Sequence, residues 1–294
     1  MKNEKPGNPL VSIIIPTHNR AEYLSRAVKS CINQTYKNSE IIVVDDNSGD
    51  NTAEVVKGFR GNRIRYFRNK SNKGAPYSRN KGLSVARGMY INFLDDDDEL
   101  LPDKTMLQME KFRTSDISSL GVVTCDVEYR RQDLRKVINN RKRGSIYIDL
   151  LRGYCVFGIQ TMLIKKEFLE MINGFDESLP SNQEYDLQLR LSRFCSYDYV
   201  PELLAVTHES DGQISFNFRK KIKGVNMIFS KYKAEYRKQG LFFFFTVYAY
   251  MMVNLFLYYI GLLFGKRAYS WLKKLVNLVR LMPSGLNKKR IRSG

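Results

Sequence analysis

The acidic run from Asp95 to Glu99 is the part of this chain best suited to chemistry. It places five consecutive carboxylates directly after the apolar stretch 89–94, in a chain whose formal net charge is +18. Two carboxylates ~5 Å apart repel each other by about 3 kcal/mol at an effective dielectric constant of ~20. A buried end of the run therefore favours a divalent cation or raised pKa values, and oxygen ligands of this kind suit Mg²⁺ or Mn²⁺. The alternative is a solvated acidic turn, the usual state of a charge run.

Short apolar runs alternate with helical patterns over the first part of the chain, which predicts a parallel α/β sheet. The predicted strands are Val11 to Ile15, Ile41 to Val44, Ile64 to Phe67 and Tyr90 to Leu94, with a further strand at Val122 to Cys125. Ligands collect at the carboxyl ends of strands in open α/β sheets. Four polar segments should therefore share one edge: Pro16 to Asn19, Asp45 to Ser48, Asn69 to Arg79 and Asp95 to Asp98.

Two further segments have clear patterns. Between the first two strands, Ala21 to Tyr36 has a helical pattern whose apolar face consists of Leu24, Ala27, Val28, Cys31 and Ile32. The segment 129–143 contains seven Arg or Lys residues and is predicted to be a solvated loop.

Composition limits the class of protein. With 294 residues, 43% hydrophobic and 12% aromatic, the chain is long and apolar enough for one large or two modest globular domains. The four cysteines, Cys31, Cys125, Cys155 and Cys195, show no metal-type spacing, which favours a reducing compartment, and no secretory signal is expected at the N-terminus. No GxGxxG follows the first strand and no GxxxxGK[ST] occurs, which argues against dinucleotide dehydrogenases and P-loop NTPases.

Charge is concentrated at the C-terminal end. Residues 1–212 carry 31 basic and 29 acidic side chains, whereas residues 213–294 carry 17 basic side chains and the single acid Glu235. Such a basic tail attracts anionic lipid or nucleic acid. A nucleic-acid-binding protein is the more distant alternative, because the tail contains an uncharged aromatic block and no RNA-type aromatic motif.

That block, Leu241 to Gly265, has 25 residues without a formal charge, ten of them aromatic. As a helix it would extend ~37 Å, enough to cross a ~30 Å hydrocarbon core. The basic flanks on both sides leave three possibilities open: a spanning helix, an interfacial hairpin broken near Asn254 or Gly261, and a soluble core helix. Tyr269 to Leu281 follows as a basic amphipathic helix suited to anionic headgroups, or to packing on the remainder of the protein.

Five motifs in register point to one family. VSIIIPTHNR, IIVVDDNSGD, NKGAPYSRNKGL, INFLDDDDEL and GFDESLPSNQEYDLQLRL closely resemble family 2 glycosyltransferases over roughly residues 10–212. The resemblance implies an inverting enzyme with a GT-A fold, an α/β architecture with a Rossmann-like mixed, mostly parallel sheet flanked by helices. We therefore predict a catalytic domain at residues 1–235 and a helical membrane-attachment region at residues 236–294.

The resemblance also implies a nucleotide-sugar site. Asp46 matches the acid that accepts a hydrogen bond from the base, although an Asx turn at Asp45 and Asp46 is an alternative. Asp95 and Asp97 match the DxD element, which implies that Asp97 and Asp95 are ligands of Mg²⁺ or Mn²⁺. His208 is expected either at the metal beside them or as a structural histidine. The complete set expected at the nucleotide sugar is Pro16, Thr17, Asn19, Asp46, Gly74, Arg79, Asp95 and Asp96.

The base that deprotonates the acceptor is expected at Glu184. The family usually has Glu-Asp before Tyr-Asp-Leu, with the aspartate as base, whereas this chain has Gln183-Glu184 before Tyr185-Asp186-Leu187. We predict that Glu184 is the base and that Asp186 is structural, at the start of a helix near Leu187 to Leu191.

Together these features predict a membrane-bound, metal-dependent transferase with its catalytic domain on the cytoplasmic side. Its expected partners are a nucleotide-sugar donor, such as a uridine diphosphate sugar, a lipid-linked or growing surface glycan as acceptor, and the membrane through residues 241–281. No nucleic-acid partner is expected. The alternative within the class is a polyprenyl-phosphate sugar synthase, whose phosphate acceptor needs less help from a base.

Overall fold

The computed structural model describes residues 8–281, apart from 60, 62, 132, 133, 154, 155 and 209–216. Cys155 lies outside the described residues. The chain divides into two compact units, Met1–Asp211 and Gly212–Gly294. The boundary predicted between residues 235 and 236 falls inside a helix of the second unit, Phe218–Lys238.

The first unit is an α/β structure. Its strands are β1 (Val11–Thr17), β2 (Ser39–Asp45), β3 (Ile64–Arg68), β4 (Tyr90–Phe93), β5 (Glu99–Leu100), β6 (Leu120–Arg131), β7 (Leu134–Ile138), β8 (Leu163–Lys165) and β9 (Ser196–His208). Its helices are α1 (Ala21–Ile32), α2 (Thr52–Lys57), α3 (Ala75–Val85), α4 (Lys104–Thr114), α5 (Tyr147–Leu151), α6 (Lys166–Met171) and α7 (Gln183–Leu191), with a 3₁₀ turn at Ile159–Thr161.

The strands form one mixed sheet in the order β3-β2-β1-β4-β8-β6-β9-β5, with β7 paired to β6. The first four strands of this order are parallel, β6 and β9 are also parallel, and β8 and β5 join in antiparallel fashion. Every residue of β1 and β2 is buried, as expected for parallel strands covered by helices on both faces. The predicted fold class and all five predicted strands are therefore confirmed.

Helix α1 ends four residues earlier than its pattern predicted. Beyond Ile32 the chain contacts the segment that follows the acidic run: the Gln34 side chain donates to the carbonyl of Leu101 at 2.8 Å, and the Thr35 amide donates to the carbonyl of Pro102 at 2.9 Å. These tertiary hydrogen bonds replace the last helical turn. They also tie α1 to the site.

The prediction of a solvated loop at 129–143 is wrong for residues 129–131 and 134–138, whereas residues 139–143 lie outside helices and strands, as predicted. β6 continues to Arg131, and β7 pairs with it antiparallel, Val127 opposite Ile138. All five residues of β7 are exposed. Basic side chains on an exposed edge strand are typical of natural sheets, because they prevent pairing with another chain, and their composition resembles that of a loop.

The second unit contains α8 (Phe218–Lys238) and α9 (Leu241–Leu281). α9 is interrupted at Gly265, whose φ of 82° and ψ of 179° are not helical. The rings of Tyr258 and Tyr269 lie 5.9 Å apart, although eleven residues of straight helix would separate them by ~16 Å. The chain therefore turns back at Gly265 and forms two segments, 241–264 and 266–281.

The predicted break points near Asn254 and Gly261 are wrong. The Asn254 side chain donates to the carbonyl of Tyr250 at 2.8 Å, so its amide is satisfied within the helix. Gly261 instead allows the Phe218 ring to pack closely against the helix, because a Cβ at this position would lie 2.5 Å from that ring. The break occurs at Gly265 because glycine tolerates its positive φ.

Candidate active site

The polar ends of β1, β2 and β4 meet at one edge of the sheet. The Asp46 amide donates to the carbonyl of Thr17 at 2.8 Å, and the Leu94 amide donates to the carbonyl of Ile14 at 3.0 Å. Pro16 is buried and pairs with Val44 in the last part of the β1–β2 ladder. The predicted gathering of polar segments at this edge is what the structure shows.

Asp46 fixes the glycine-containing loop in front of α3. Its buried carboxylate accepts hydrogen bonds from the Gly74 amide at 2.6 Å and the Lys73 amide at 2.9 Å. The side chain of Asn69 donates to the same carboxylate at 2.8 Å. Gly74 has a φ of 90°, which lets its amide turn toward Asp46. The predicted contact of Asp46 with a nucleotide base stays a prediction.

Hydrogen bonds join the turn after β1 to the turn after β2. The Asn19 amide donates to Ser48 Oγ at 2.9 Å, and Asn19 Oδ1 accepts from the Gly49 amide at 2.7 Å. Asp45 Oδ1 accepts from the Ser48 amide at 2.7 Å, as in the predicted alternative of an Asx-type turn. The two loops thus hold one another in place beside the acidic run.

The acidic run is a turn, not an extended segment. The Asp98 amide donates to the carbonyl of Asp95 at 3.1 Å, and Glu99 already belongs to β5, where it pairs with Val206 of β9. The turn brings one carboxylate oxygen each of Asp95, Asp97 and Asp98 within 4.8 Å of one another. The match to the DxD element predicted the first two, whereas Asp98 joins them through the turn.

Burial makes this cluster electrostatically costly without a cation. Burial, followed by repulsion from Asp95 and Asp97, raises the pKa of the Asp98 carboxyl well above its usual value. Burial likewise raises the pKa of Asp96 to about 7, against the opposing effect of the nearby Arg20. A divalent cation bound among these oxygens would offset both desolvation and repulsion.

Three carboxylate oxygens in this arrangement fit a hard divalent cation. Asp95, Asp97 and Asp98 would hold it, since oxygen ligands in close groups are what Mg²⁺ and Mn²⁺ require.

His208 lies beside the cluster and contacts a different acid. Its Nε2 lies 2.6 Å from Glu99 Oε1, and its backbone amide donates to Asp98 Oδ1 at 3.1 Å. The histidine thus supports the acidic turn from β9. Its predicted place at the metal stays a prediction.

Among the described residues, three arginines pair with carboxylates of the run: Arg20, Arg79 and Arg26, whose Nε lies 3.3 Å from Glu99 Oε1. Arg20 donates to Asp97 at 2.7 Å and lies 3.2 Å from Asp96, which also accepts from Thr17 Oγ1 at 2.8 Å. Arg20 is absent from the sequence-based set. The position of Arg20, directly after the polar residues that end β1, could have indicated that it belongs to the site.

Arg79, only 5% exposed, contacts the first residue of the run, Asp95. It donates to Asp95 at 2.6 Å, and its guanidinium lies 5.2 Å from the ring centroid of Phe175. Although burial lowers the pKa of Arg79, the carboxylates of Asp95 and Glu184 raise it above its ordinary value. A guanidinium buried to this extent is not that of a solvated surface arginine.

Glu184 faces this cluster from α7. Its carboxylate, one-third exposed, lies 3.8 Å from Arg79 Nη2. α7 begins at Gln183, four residues earlier than predicted, so Glu184 and Asp186 both lie in its first turn. A carboxylate at this end of a helix interacts favourably with the macrodipole.

Asp186 is directed elsewhere. Its buried carboxylate accepts from Arg190 Nε at 2.7 Å, and Arg190 Nη1 donates to the carbonyls of Ile172 and Gly174, each at 2.7 Å. The pair fixes the loop that carries Phe175 beneath Arg79. This arrangement supports a structural role for Asp186.

The sheet and the polar edge define a transferase of the GT-A fold. The sequence profile described as "Glycosyl transferase family 2" matches residues 12–171. The chain belongs to this family.

Similar proteins extend the comparison. An uncharacterised glycosyltransferase of Rickettsia felis is 32% identical over 253 residues, which cover 82% of this chain and 41% of the relative. The chain thus spans less than half of that relative. A GalNAc(5)-diNAcBac-PP-undecaprenol beta-1,3-glucosyltransferase of Campylobacter jejuni is 46% identical over 106 residues, 35% of this chain and 34% of the relative.

Among solved structures, S. aureus TarS 1-349 in complex with UDP-GlcNAc matches with a TM-score of 0.60. The match covers 74% of this chain and 66% of TarS at 18% identity, which shows a shared fold.

Proposed function

We propose that this protein is a metal-dependent, inverting glycosyltransferase that moves a sugar from a nucleotide-sugar donor to a lipid-linked or growing surface glycan. The observation that carries the proposal is the position of Arg79 between Asp95 and Glu184, 2.6 Å from the first and 3.8 Å from the second. One guanidinium thereby joins a group suited to a diphosphate and its cation with a group suited to a proton acceptor.

The proposed chemistry is a single displacement. Glu184 accepts the proton of the acceptor hydroxyl as that oxygen attacks the anomeric carbon from the side opposite the leaving diphosphate. Arg79 orients Glu184 and Asp95, and Asp46 holds the loop in front of α3 through the amides of Lys73 and Gly74. A bound Mg²⁺ or Mn²⁺ would supply charge neutralisation for the leaving diphosphate.

The donor and acceptor classes rest on different grounds. A uridine diphosphate sugar is proposed because the fold resembles that of TarS, which was solved with UDP-GlcNAc. A lipid-linked acceptor is proposed because the Campylobacter jejuni relative is described as acting on an undecaprenol diphosphate glycan. The apolar stretch in the second unit fits attachment to the cytoplasmic face of a membrane that carries such an acceptor. Of the described helices, only Leu241–Val276, which Gly265 interrupts, is long and apolar enough by length and composition to cross a bilayer.

A donor screen tests the proposal. Membranes containing the full chain are incubated with a panel of nucleotide sugars, Mg²⁺ or Mn²⁺, and a lipid-linked glycan extract, and release of nucleoside diphosphate is measured. We expect one donor to be consumed with an acceptor-dependent product of inverted anomeric configuration. Equal release from the Glu184→Gln variant, or a product of retained configuration, would contradict the mechanism.

A further inference from the structure

Within the second unit, α8 and the segment 241–264 form a helical hairpin whose two outer faces differ in chemistry. α8 and the segment 241–264 run antiparallel along their whole length, as three contacts show. Phe218 lies 6.5 Å from Tyr258, Phe229 lies 5.7 Å from Tyr248, and the Arg237 guanidinium lies 5.4 Å from the Phe244 ring centroid.

The face of segment 241–264 that points away from α8 is apolar. Phe242 is 88% exposed and Leu263 is 72% exposed, at opposite ends of the segment. The exposed large side chains of the whole segment are Leu241, Phe242, Phe245, Tyr248, Tyr250, Met252, Val253, Phe256, Tyr259, Leu262, Leu263 and Phe264. A continuous exposed apolar face of this length on a helix without charge indicates contact with lipid or another apolar surface.

The outer face of α8 is basic. Seven of its Lys and Arg side chains are exposed, while Phe218, Ile228, Tyr232 and Tyr236 are buried. The exposed basic residues are Arg219, Lys220, Lys223, Lys231, Lys233, Arg237 and Lys238.

This pairing decides between the membrane arrangements that composition leaves open. If segment 241–264 crossed the bilayer, its middle near Val253 would lie at the midplane. The antiparallel register places Lys223 and Asn226 of α8 at the same depth. α8 would then carry several Lys and Arg side chains into ~30 Å of hydrocarbon, where charged groups are strongly disfavoured.

We infer that the second unit lies in the plane of an anionic membrane surface, with segment 241–264 in the boundary between acyl chains and headgroups and with α8 on the aqueous side. Amphipathic helices bury their apolar faces to ~5–10 Å in this region. The basic face of α8 then lies about one helix diameter above, within roughly a Debye length of the anionic headgroups. This inference rests on the membrane attachment proposed above and adds its geometry.

Site-directed labelling of vesicle-bound protein tests the arrangement. Single cysteines are introduced in the full chain as Gln239→Cys and Arg267→Cys, at the two ends of segment 241–264, and as Asn226→Cys and Val253→Cys, at its middle on α8 and on the apolar face. Each protein is bound to preformed phosphatidylcholine–phosphatidylglycerol vesicles and treated with a membrane-impermeant maleimide. The unsubstituted chain gives the background of the natural cysteines, of which Cys31, Cys125 and Cys195 are buried.

We expect the cysteines at 239, 267 and 226 to label from outside, and only the one at 253 to be protected when vesicles are added. Protection of the cysteine at 226, or labelling of only one end until detergent is added, would overturn the in-plane arrangement while leaving membrane attachment intact. Absence of vesicle binding would overturn the attachment itself, and neither result bears on sugar transfer.

A lipid comparison completes the test. Binding to vesicles with phosphatidylglycerol should exceed binding to phosphatidylcholine alone by at least about tenfold, because several basic side chains lie near the surface. Lys231→Gln combined with Lys233→Gln should remove most of that difference. Equal binding to both vesicle types would contradict the contribution of α8.

Discussion

Arg79 Nη2 lies 3.8 Å from a carboxylate oxygen of Glu184, across the space between α3 and α7. The same nitrogen donates to Asp95 at 2.6 Å. Residues from the first third of the chain and from α7 are therefore electrostatically coupled through one buried guanidinium, and a change in one of them should be felt by the others.

Replacing Arg79 by lysine should lower kcat by at least about a hundredfold, the loss typical of a preorganised charged donor. A lysine ammonium is a point charge that cannot satisfy Asp95 and Glu184 with the planar geometry of guanidinium. Steady-state kinetics with the identified donor measure the loss. Arg141→Lys, at an ion pair with Asp126 on the other half of the sheet, serves as the matched control and should stay within about twofold. A similar loss in both variants would contradict a specific role.

Glu184→Gln should impair catalysis, whereas Asp186→Asn should impair the stability of the fold. Glu184→Gln should reduce kcat by about 10²–10⁴-fold with little change in stability, because the carboxylate is the proposed proton acceptor and is partly exposed. Asp186→Asn should lower the free energy of unfolding by roughly 3–5 kcal/mol, because it leaves the buried charge of Arg190 without its partner.

Kinetics and urea denaturation of the two variants separate these roles. An inactive but stable Asp186→Asn protein beside an active Glu184→Gln protein would require that the two roles be exchanged. Retained turnover of Glu184→Gln with polyprenyl phosphate as acceptor would instead favour a polyprenyl-phosphate sugar synthase.

Removal of divalent cations should abolish transfer, and Mg²⁺ or Mn²⁺ should restore it. Asp97→Asn should raise the metal concentration needed for half-maximal activity by at least about tenfold, since it removes one of three grouped carboxylates. Asp116→Asn changes an exposed acid paired with Arg143 and provides the control. Full activity of Asp97→Asn in chelator would contradict the metal assignment.

Asp46→Ala should raise KM for the donor by about tenfold or more while leaving the metal requirement unchanged. The carboxylate accepts from the amides of Lys73 and Gly74, so its loss frees the loop before α3 and leaves two amides without an acceptor. Donor titrations at saturating metal measure the effect. An unchanged KM would show that this loop does not take part in donor binding.

Lys104→Met should raise the free energy of unfolding by about 2 kcal/mol at pH 7, after allowance for the lost hydrogen bond to Gln108. Burial lowers the pKa of Lys104 to about 8 from 10.5, so the folded state binds fewer protons than the unfolded state between these values. The wild-type protein should therefore gain stability from this group as pH rises from about 8 to 10.5. Urea denaturation at both ends of this window should show the advantage of the variant shrinking at high pH, and a constant difference would contradict the burial of a charged amine.

The parts of the fold that could be predicted follow from sequence patterns that do not depend on contacts between distant segments. β1 and β2 are continuous apolar runs that can only be covered on both faces, and the polar residues that follow them were correctly placed at one edge. Asp95 and Asp97 were grouped through their match to the DxD element of the family.

The rest depends on contacts between distant segments. The turn that adds Asp98 to the cluster is held by His208 of β9, and the ion pair of Arg20 with Asp97 joins it to the segment after β1. β7 was taken for a loop because the segment 129–143 contains seven Arg or Lys residues, while the pairing of β7 with β6 uses only backbone groups. The break at Gly265 could not be predicted from the sequence, because a glycine at 261 could equally allow a break. Only the packing of Gly261 against Phe218 distinguishes the two positions.

The hydrogen bond from the His208 amide to Asp98 closes a loop of 110 residues. Contacts of such long range are made late, because the entropy of loop closure must be overcome before they form. During synthesis the acidic turn therefore stays without its last support until β9 has left the ribosome. The order of synthesis thus delays completion of the acidic turn until nearly all of the first unit has been made, and a nascent chain interrupted before residue 196 would lack the support from β9.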